Sequence, residues 1–210
     1  GLSPTLPSED SLARWVELSR ESFSGSPQGK MNLLFAFEDE GRARLIGTSG
    51  IASELASDEV RYCFRVGTSV SCSREIGAPR RLPTRSLTND QTGASELTGL
   101  YLHPEYRRGG NGALLSLSRL LYVAEFPQRF AERFVAGLRG LCDANGGSPF
   151  WAGLGRHFYR ADPVREDYLS GVSGRSLIGE LMPQHPVYTA VLPDEARAAI
   201  GVCHPTAQPA

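Results

Sequence analysis

The sequence predicts an α+β domain with mixed α/β character in its second half. Three observations carry that prediction. Strand-patterned segments crowd residues 31–102. The last of them, "SELTGLYL" (95–102), runs into a glycine-rich turn, after which the apolar period changes to a helical one. Further strand and helix signals then alternate to residue 200.

The elements follow in order. Residues 1–10 are rich in Pro and Ser and read as loop. Ser8 or Asp10 caps a helix over 11–23, with Leu12, Trp15, Val16 and Leu18 as its apolar positions. "GSPQGK" breaks the chain. "MNLLFAFED" (31–39) and "RARLIGTSGIAS" (42–53) read as two strands around the hairpin signal "DEGR", and "VRYCFRVGTSV" (60–70) as a third. Pro79 and Pro83 interrupt 73–87 and leave it unassigned. "SELTGLYL" is apolar on both alternating faces, as in a central strand. From Gly112, Leu114, Leu117, Leu121 and Ala124 recur at helical spacing, with Ser116, Ser118 and Arg119 on other sides. That helix ends near Pro127. "RFVAGLRGL" (133–141) fits helix or strand; Gly137 and Gly140 favour strand. In "SPFWAGLGRHFY" (148–159), Ser148 is a helix cap and Pro149 the first turn. Helical pieces are expected near 163–170 and 175–182, a strand at 185–192 and a short helix at 194–200.

Composition excludes some functions. The chain has 210 residues, is 40% hydrophobic and 21% charged, and carries a net charge of −1. A nucleic-acid platform would show a basic excess. No apolar stretch is long enough to span a bilayer and no signal-peptide pattern opens the chain, so a cytoplasmic protein without membrane attachment is expected. Cys63, Cys72, Cys142 and Cys203 form no C-x-x-C pair, which argues against a disulfide framework or a zinc site. Lys30 is the only lysine, so an anion site here must use arginine or backbone N–H groups. The chain begins with Gly and ends in the open stretch "CHPTAQPA"; both ends read as cut.

The turn after 95–102 is "RRGGNG", Arg107 to Gly112. A strand running into such a turn and then a helix is an anion site by construction. Free N–H groups at the helix start carry partial positive charge, and glycines let a ligand approach the backbone. Arg107 and Arg108 can add charge-assisted bonds to phosphate. A P-loop would need a lysine. A dinucleotide fingerprint would need a third glycine where Leu115 stands. The pattern present is R-x-x-G-x-G: Arg107, Gly110 and Gly112. It resembles the pyrophosphate-binding signature of the GCN5-related N-acyltransferases, which bind acyl-coenzyme A. The competing reading is a plain glycine-rich turn with solvent-facing arginines.

Longer strings sharpen the resemblance. "YCFRVGTSV", "SLTNDQTGASEL", "LYLHPEYRRGGNGALLS", "SPFWAGLGRHFY", "IGELMPQHPVY" and "LPDEARAAIGVCHP" are together similar to the arginine N-succinyltransferase family. The resemblance covers nearly everything from residue 31 onward. It implies one acyl-CoA N-acyltransferase-like domain over 1–210, with a mostly antiparallel central sheet flanked by helices. It also implies a fragment that lacks a first strand and helix and a C-terminal part. The implied activity moves a succinyl group from succinyl-CoA to the α-amine of L-arginine, with ornithine as a second amine, in bacterial arginine degradation. Succinyl-CoA is then a co-substrate and no cofactor is tightly held; no metal is implied. The implied assembly is an oligomer, either of one chain or with a related subunit.

The resemblance assigns Leu100 to succinyl-CoA binding; the turn Arg107, Arg108, Gly109, Gly110, Asn111 and Gly112 is expected to bind the same molecule on its anion-site chemistry and its R-x-x-G-x-G pattern. The resemblance assigns His204 the role of proton donor. By pattern alone, His204 before Pro205 reads as an ordinary loop histidine; the resemblance reverses that. Three positions depart from the family pattern: Gln91 in place of His, His103 in place of an acid, and Gly137 in place of Glu. Arg65 and Arg85 are candidates for the succinyl carboxylate; Asp90, Glu96 and Glu180 are candidates for the guanidinium of the substrate. Two rival activities stand beside this one. They are acetyl-CoA-dependent N-acetyl transfer on the same fold, and a non-catalytic subunit that binds CoA or a partner.

Overall fold

The structure is a computed structural model that describes residues 9–25, 29–54, 60–73, 75, 77–143, 146–158 and 177–207. Its α+β fold gathers into two compact units, each made of separated stretches of chain. The first holds Leu6–Asp58 and Thr92–Gly137; the second holds Glu59–Gln91 and Leu138–Ala210.

The first unit is built on a four-stranded sheet in the order β1-β2-β5-β6. β1 (Asn32–Asp39) and β2 (Arg44–Ala52) form the hairpin read from "DEGR". β5 (Ser95–Leu102) lies antiparallel to β2. β6 (Phe134–Ala136) lies parallel to β5. A parallel neighbour needs a crossover, and helix α2 (Asn111–Glu125) supplies it. Met31, Leu33, Ile46, Ile51, Ala94, Leu102 and Leu115 are buried here.

Helix α1 (Glu9–Phe23) lies along the β1 edge. The N–H groups of Leu34 and Asn32 donate to Ser19 Oγ (2.9 Å) and Ser22 Oγ (3.1 Å). Two hydroxyls therefore occupy part of a sheet edge that would otherwise invite another strand. The expected apolar stripe of α1 is wrong in its facing. Leu12, Trp15 and Val16 are exposed, and the buried positions are Ser19 and Ser22. The helix is held by polar bonds to a strand edge and by Phe23, which meets the rings of Phe35 and Tyr122 edge-on.

α2 departs in the same way. Leu114, Leu117 and Leu121 are exposed, whereas Leu115 and Arg119 are buried. A single buried leucine and the stem of an arginine make the sheet-facing side, so the longest leucine repeat does not mark the core.

The second unit has a three-stranded antiparallel sheet, β3-β4-β7. β3 is Cys63–Cys72 and β7 is Val187–Tyr188. β4 is Pro79–Thr88, which fills the stretch left unassigned between the prolines. Pro79 opens the strand, where a missing N–H costs little. On the side away from β3, β4 is paired only at Thr84 and Arg85, which leaves room for Pro83. Among the described residues, three short helices follow: α3 (Pro149–Leu154), α4 (Leu177–Leu181) and α5 (Asp194–Ala199). Ser148 caps α3 by accepting from the Trp151 N–H, as read from the sequence. Leu154, Met182, Leu192 and Ala196 form this unit's core, with Phe64, Leu87, Phe150, Trp151, Val187 and Ile200 packed around it.

Two strands are shorter than expected. The segment 133–141 is strand only at Phe134–Ala136, and glycines at 137 and 140 offer no side chain to extend it. The segment 185–192 is strand only at Val187–Tyr188, because the next three residues tighten into a 3₁₀ turn. The helical piece expected at 163–170 lies outside the described residues. No helix among the described residues is long and apolar enough to cross a membrane.

Candidate acyl-CoA site

The site is built at the C-terminal end of β5. β6 pairs with Ser95, Glu96 and Leu97 and then stops, while pairing with β2 continues to Leu102. From Thr98 onward one edge of β5 is therefore open. On the other edge the register jumps from Gly50↔Thr98 to Thr48↔Tyr101, so Gly99 and Leu100 together face Ser49. That is a β-bulge. Gly99 sits in it at φ 61°, a left-handed conformation that favours glycine. Thr48 Oγ1 donates to the Gly99 carbonyl at 3.0 Å. Leu100 and Tyr101 project outward and are about half exposed. Leu100 thus stands in a strand that has parted from its neighbour.

The strand ends at Leu102, His103 leads into a 3₁₀ turn over Pro104–Tyr106, and the chain reaches the glycines. Gly109 has φ 62° and Gly110 φ 81°, and Gly110 occupies the N-cap of α2. A left-handed cap lets the chain turn sharply from strand into helix. Among the described residues, no acceptor meets the N–H of Gly109, Gly110, Gly112 or Ala113. These are the unpaired donors expected of a helix start, with the positive end of a 15-residue helix behind them. The turn is braced from within. Arg107 Nε donates to the Leu102 carbonyl (2.9 Å), and Asn111 Nδ2 donates to the Tyr106 carbonyl (3.1 Å). Arg107 is thereby tied to the strand end by one nitrogen, and Arg108 is exposed.

Beside the turn lies an open polar hollow of about 490 Å³ lined by Asp39, Arg42, Glu105, Tyr106 and Arg108. Tyr106 Oη donates to Asp39 Oδ2 at 2.7 Å. That bond holds the Asp39 carboxyl below its ordinary range and raises the Tyr106 phenol. His103 has Nε2 3.1 Å from Arg44 Nη2 and Nδ1 3.9 Å from Glu105 Oε2. An arginine can only donate, so Nε2 is the acceptor in that pair. The sequence did not single out this hollow, because its residues are spread over the β1–β2 turn and the segment after β5.

Arg107, Arg108, Gly109, Gly110, Asn111, Gly112 and Leu100 all lie in the first unit, around one strand end. His204 lies in the second unit. It follows the bridge between Gly140 and Cys203; its N–H donates to the Arg139 carbonyl (2.8 Å) and its carbonyl accepts from Ala207 (2.8 Å). The side chain is half-buried.

The residues considered for substrate charges divide clearly. Arg65 forms an ion pair with Asp90, which also accepts from Thr88 Oγ1 (3.0 Å). Arg85 is buried on β4, where its Nη1 donates to the Thr84 carbonyl (2.7 Å) and burial lowers its pKa. Glu96 stands on β5 opposite the end of β6. A side chain added at Gly137 would begin 3.7 Å from Glu96 Oε1. The glutamate expected at 137 would therefore have paired two carboxylates where the strands part, and this chain keeps one.

Comparison with known proteins gives the family. A family model described as the arginine N-succinyltransferase beta subunit matches residues 1–210. The arginine N-succinyltransferase subunit beta of Pseudomonas aeruginosa is 42% identical over 211 residues, covering 100% of this chain and 62% of that protein. The arginine N-succinyltransferases of Salmonella typhi and Yersinia enterocolitica are 42% and 41% identical, with 61% of each covered. The chain thus spans about three-fifths of the length of these curated relatives. Among solved structures, the arginine/ornithine succinyltransferase subunit AI of Pseudomonas aeruginosa matches with a TM-score of 0.77 and 32% identity, over 95% of this chain and 58% of that one. With the parted strand, the glycine turn and a family match from the first residue to the last, the chain belongs to the arginine N-succinyltransferase family.

Proposed function

We propose that this chain is the acyl-CoA-binding part of an acyltransferase that moves a succinyl group from succinyl-CoA to the α-amine of L-arginine, with ornithine as a second amine. Both units belong to that one acyltransferase domain, which acts with a related subunit or a further copy of itself. The observation that carries the reading is the opening of β5 away from β6 after Leu97, shortly before a turn whose four N–H groups meet no acceptor among the described residues. The turn takes the pyrophosphate, with Arg107 and Arg108 adding charge. The open β5 edge at Gly99–Tyr101 offers backbone groups to the amides of the pantetheine arm, and Leu100 covers the arm.

The chemistry is direct transfer. The substrate α-ammonium first loses a proton, because only the free amine attacks. Its nitrogen then bonds to the thioester carbon, and negative charge on the carbonyl oxygen needs a hydrogen-bond donor. The carbon–sulfur bond breaks, the thiolate leaves with the electron pair, and the nitrogen gives up a second proton to solvent to become the amide. A thiol of pKa about 8.5 leaves tolerably as the anion and better when protonated. His204 is the proton donor for that step. No enzyme-bound acyl group forms and no metal enters.

The experiment is thiol release from succinyl-CoA in the full-length protein, with L-arginine, ornithine or no amine, beside His204→Ala and beside acetyl-CoA. Arginine-dependent release from succinyl-CoA, falling about a hundredfold or more in His204→Ala, is expected. Full activity in the variant removes His204 from the chemistry. Release from acetyl-CoA alone makes the protein an acetyltransferase. CoA binding without release under any condition leaves a binding subunit.

A further inference from the structure

The sheet-facing side of α2 is not apolar throughout. Leu115 is buried there, and so is Arg119, at 4% exposure. Three hydrogen bonds hold the Arg119 guanidinium. Nη2 donates to Ser116 Oγ (2.9 Å), Nε to the Ser116 carbonyl (3.3 Å) and Nη1 to the Thr98 carbonyl on β5 (3.3 Å). Among the described residues no carboxylate forms an ion pair with it. On β2, opposite the bulge, Ser49 is fully buried and its hydroxyl has no partner among the described residues.

A buried cation without a counter-ion is costly, and burial lowers the Arg119 pKa accordingly. A methionine would fill similar space without that cost, and replacing buried charge by well-packed apolar groups is often neutral or stabilising. Packing therefore does not account for an arginine here; its hydrogen bonds do. Their target is specific. Thr98 is the last β5 residue in register before the jump, and Gly99 and Leu100 follow it into the bulge. The same guanidinium is anchored to the helix whose first residues form the glycine turn. One side chain thus joins the two walls of the acyl-CoA site.

We propose that Arg119 is a positioning residue. By holding the Thr98 carbonyl to α2, it fixes the bulge at Gly99–Leu100 and keeps the open β5 edge aligned with the glycine turn. This inference rests on the acyl-CoA reading above.

The test uses the full-length protein, wild type beside Arg119→Met and Arg119→Lys. It measures thermal unfolding, KM for succinyl-CoA against kcat, and hydrogen exchange across residues 95–102. Arg119→Met is expected to melt no lower than wild type and to raise KM for succinyl-CoA about tenfold or more. Its exchange should quicken at Gly99–Tyr101 and not in β1 or β2. Arg119→Lys, which keeps the charge without the fork, should fall between the two. Should Arg119→Met fail to fold, Arg119→Lys decides alone. Wild-type KM and exchange in the variants overturn the inference, as does a KM loss matched by a general loss of stability and protection. An inactive wild type overturns the acyl-CoA reading and this inference with it; an active wild type with unaffected variants overturns this inference alone.

Discussion

Gly110 and Gly112 sit two residues apart in the turn and are glycine for different reasons. Gly110 has φ 81°, and an added Cβ would meet nothing within 4 Å. Its demand is conformational. Alanine there should destabilise the fold by about 1–2 kcal/mol, read by denaturant unfolding. Gly112 has no positive φ and lies in the first turn of α2, where a Cβ would stand 3.9 Å from Leu102. The fold does not require glycine at that place; in the proposed function it admits close approach by a ligand. Gly112→Ala should leave stability unchanged or higher by up to about 1 kcal/mol, yet weaken CoA binding in titration calorimetry; unchanged affinity would leave Gly112 outside the binding surface. Asp39 gives a second residue-scale prediction. Its carboxyl is held low chiefly by the Tyr106 hydroxyl. A folded-state pKa below the unfolded value contributes stability that is present at neutral pH and is lost as pH falls through the folded pKa. In Tyr106→Phe the Asp39 titration, followed by its carboxyl NMR shift, should move to higher pH. An unmoved titration would assign the effect to the N–H groups of the β1–β2 turn instead.

At the scale of elements, the signals legible in the sequence were those set by local chemistry. The Ser148 cap, the "DEGR" hairpin and the glycine turn each depend on a few adjacent residues, and each lies where the sequence put it. Facing was less legible. The leucines of α2 repeat at a clean helical period, yet Leu114, Leu117 and Leu121 point to solvent in this chain. Leu115, Arg119 and Tyr122 follow a helical i, i+4, i+7 spacing of their own, and that stripe includes the buried positions; a charged residue within it concealed the signal. Strand length was also hidden. Whether 133–141 pairs along its length depends on a neighbour, and β5 offers a parallel partner only at three residues before the strands part. That parting makes the candidate site, and no periodicity in either strand encodes it. The motif marks the turn proposed for a phosphate; the parting of the strands beside it became visible only through pairing.

At the scale of the whole molecule, the two units are interleaved along the chain. The chain leaves the first unit near Asp58, returns near Thr92 and leaves again after Gly137. The β3–β4 hairpin is thus inserted between β2 and β5, yet its partners come from far downstream. β7 pairs with Thr84 and Arg85, and Phe64 and Leu87 pack on a core made of Leu154, Met182, Leu192 and Ala196. A two-stranded hairpin alone is marginally stable in water. Sheet β1-β2-β5-β6 and α2 have no such debt, because all their strands lie before residue 138. A polypeptide ending at Gly137 should therefore keep slow hydrogen exchange in β1, β2 and the first half of β5, while β3 and β4 exchange nearly as fast as unfolded chain. The full-length protein, measured alongside, should protect both sheets. If β3 and β4 stay protected in the shorter chain, the hairpin does not depend on residues 138–210. If β1, β2 and β5 lose protection as well, the first unit does not fold without the second, and the two are one cooperative structure despite their separate sheets.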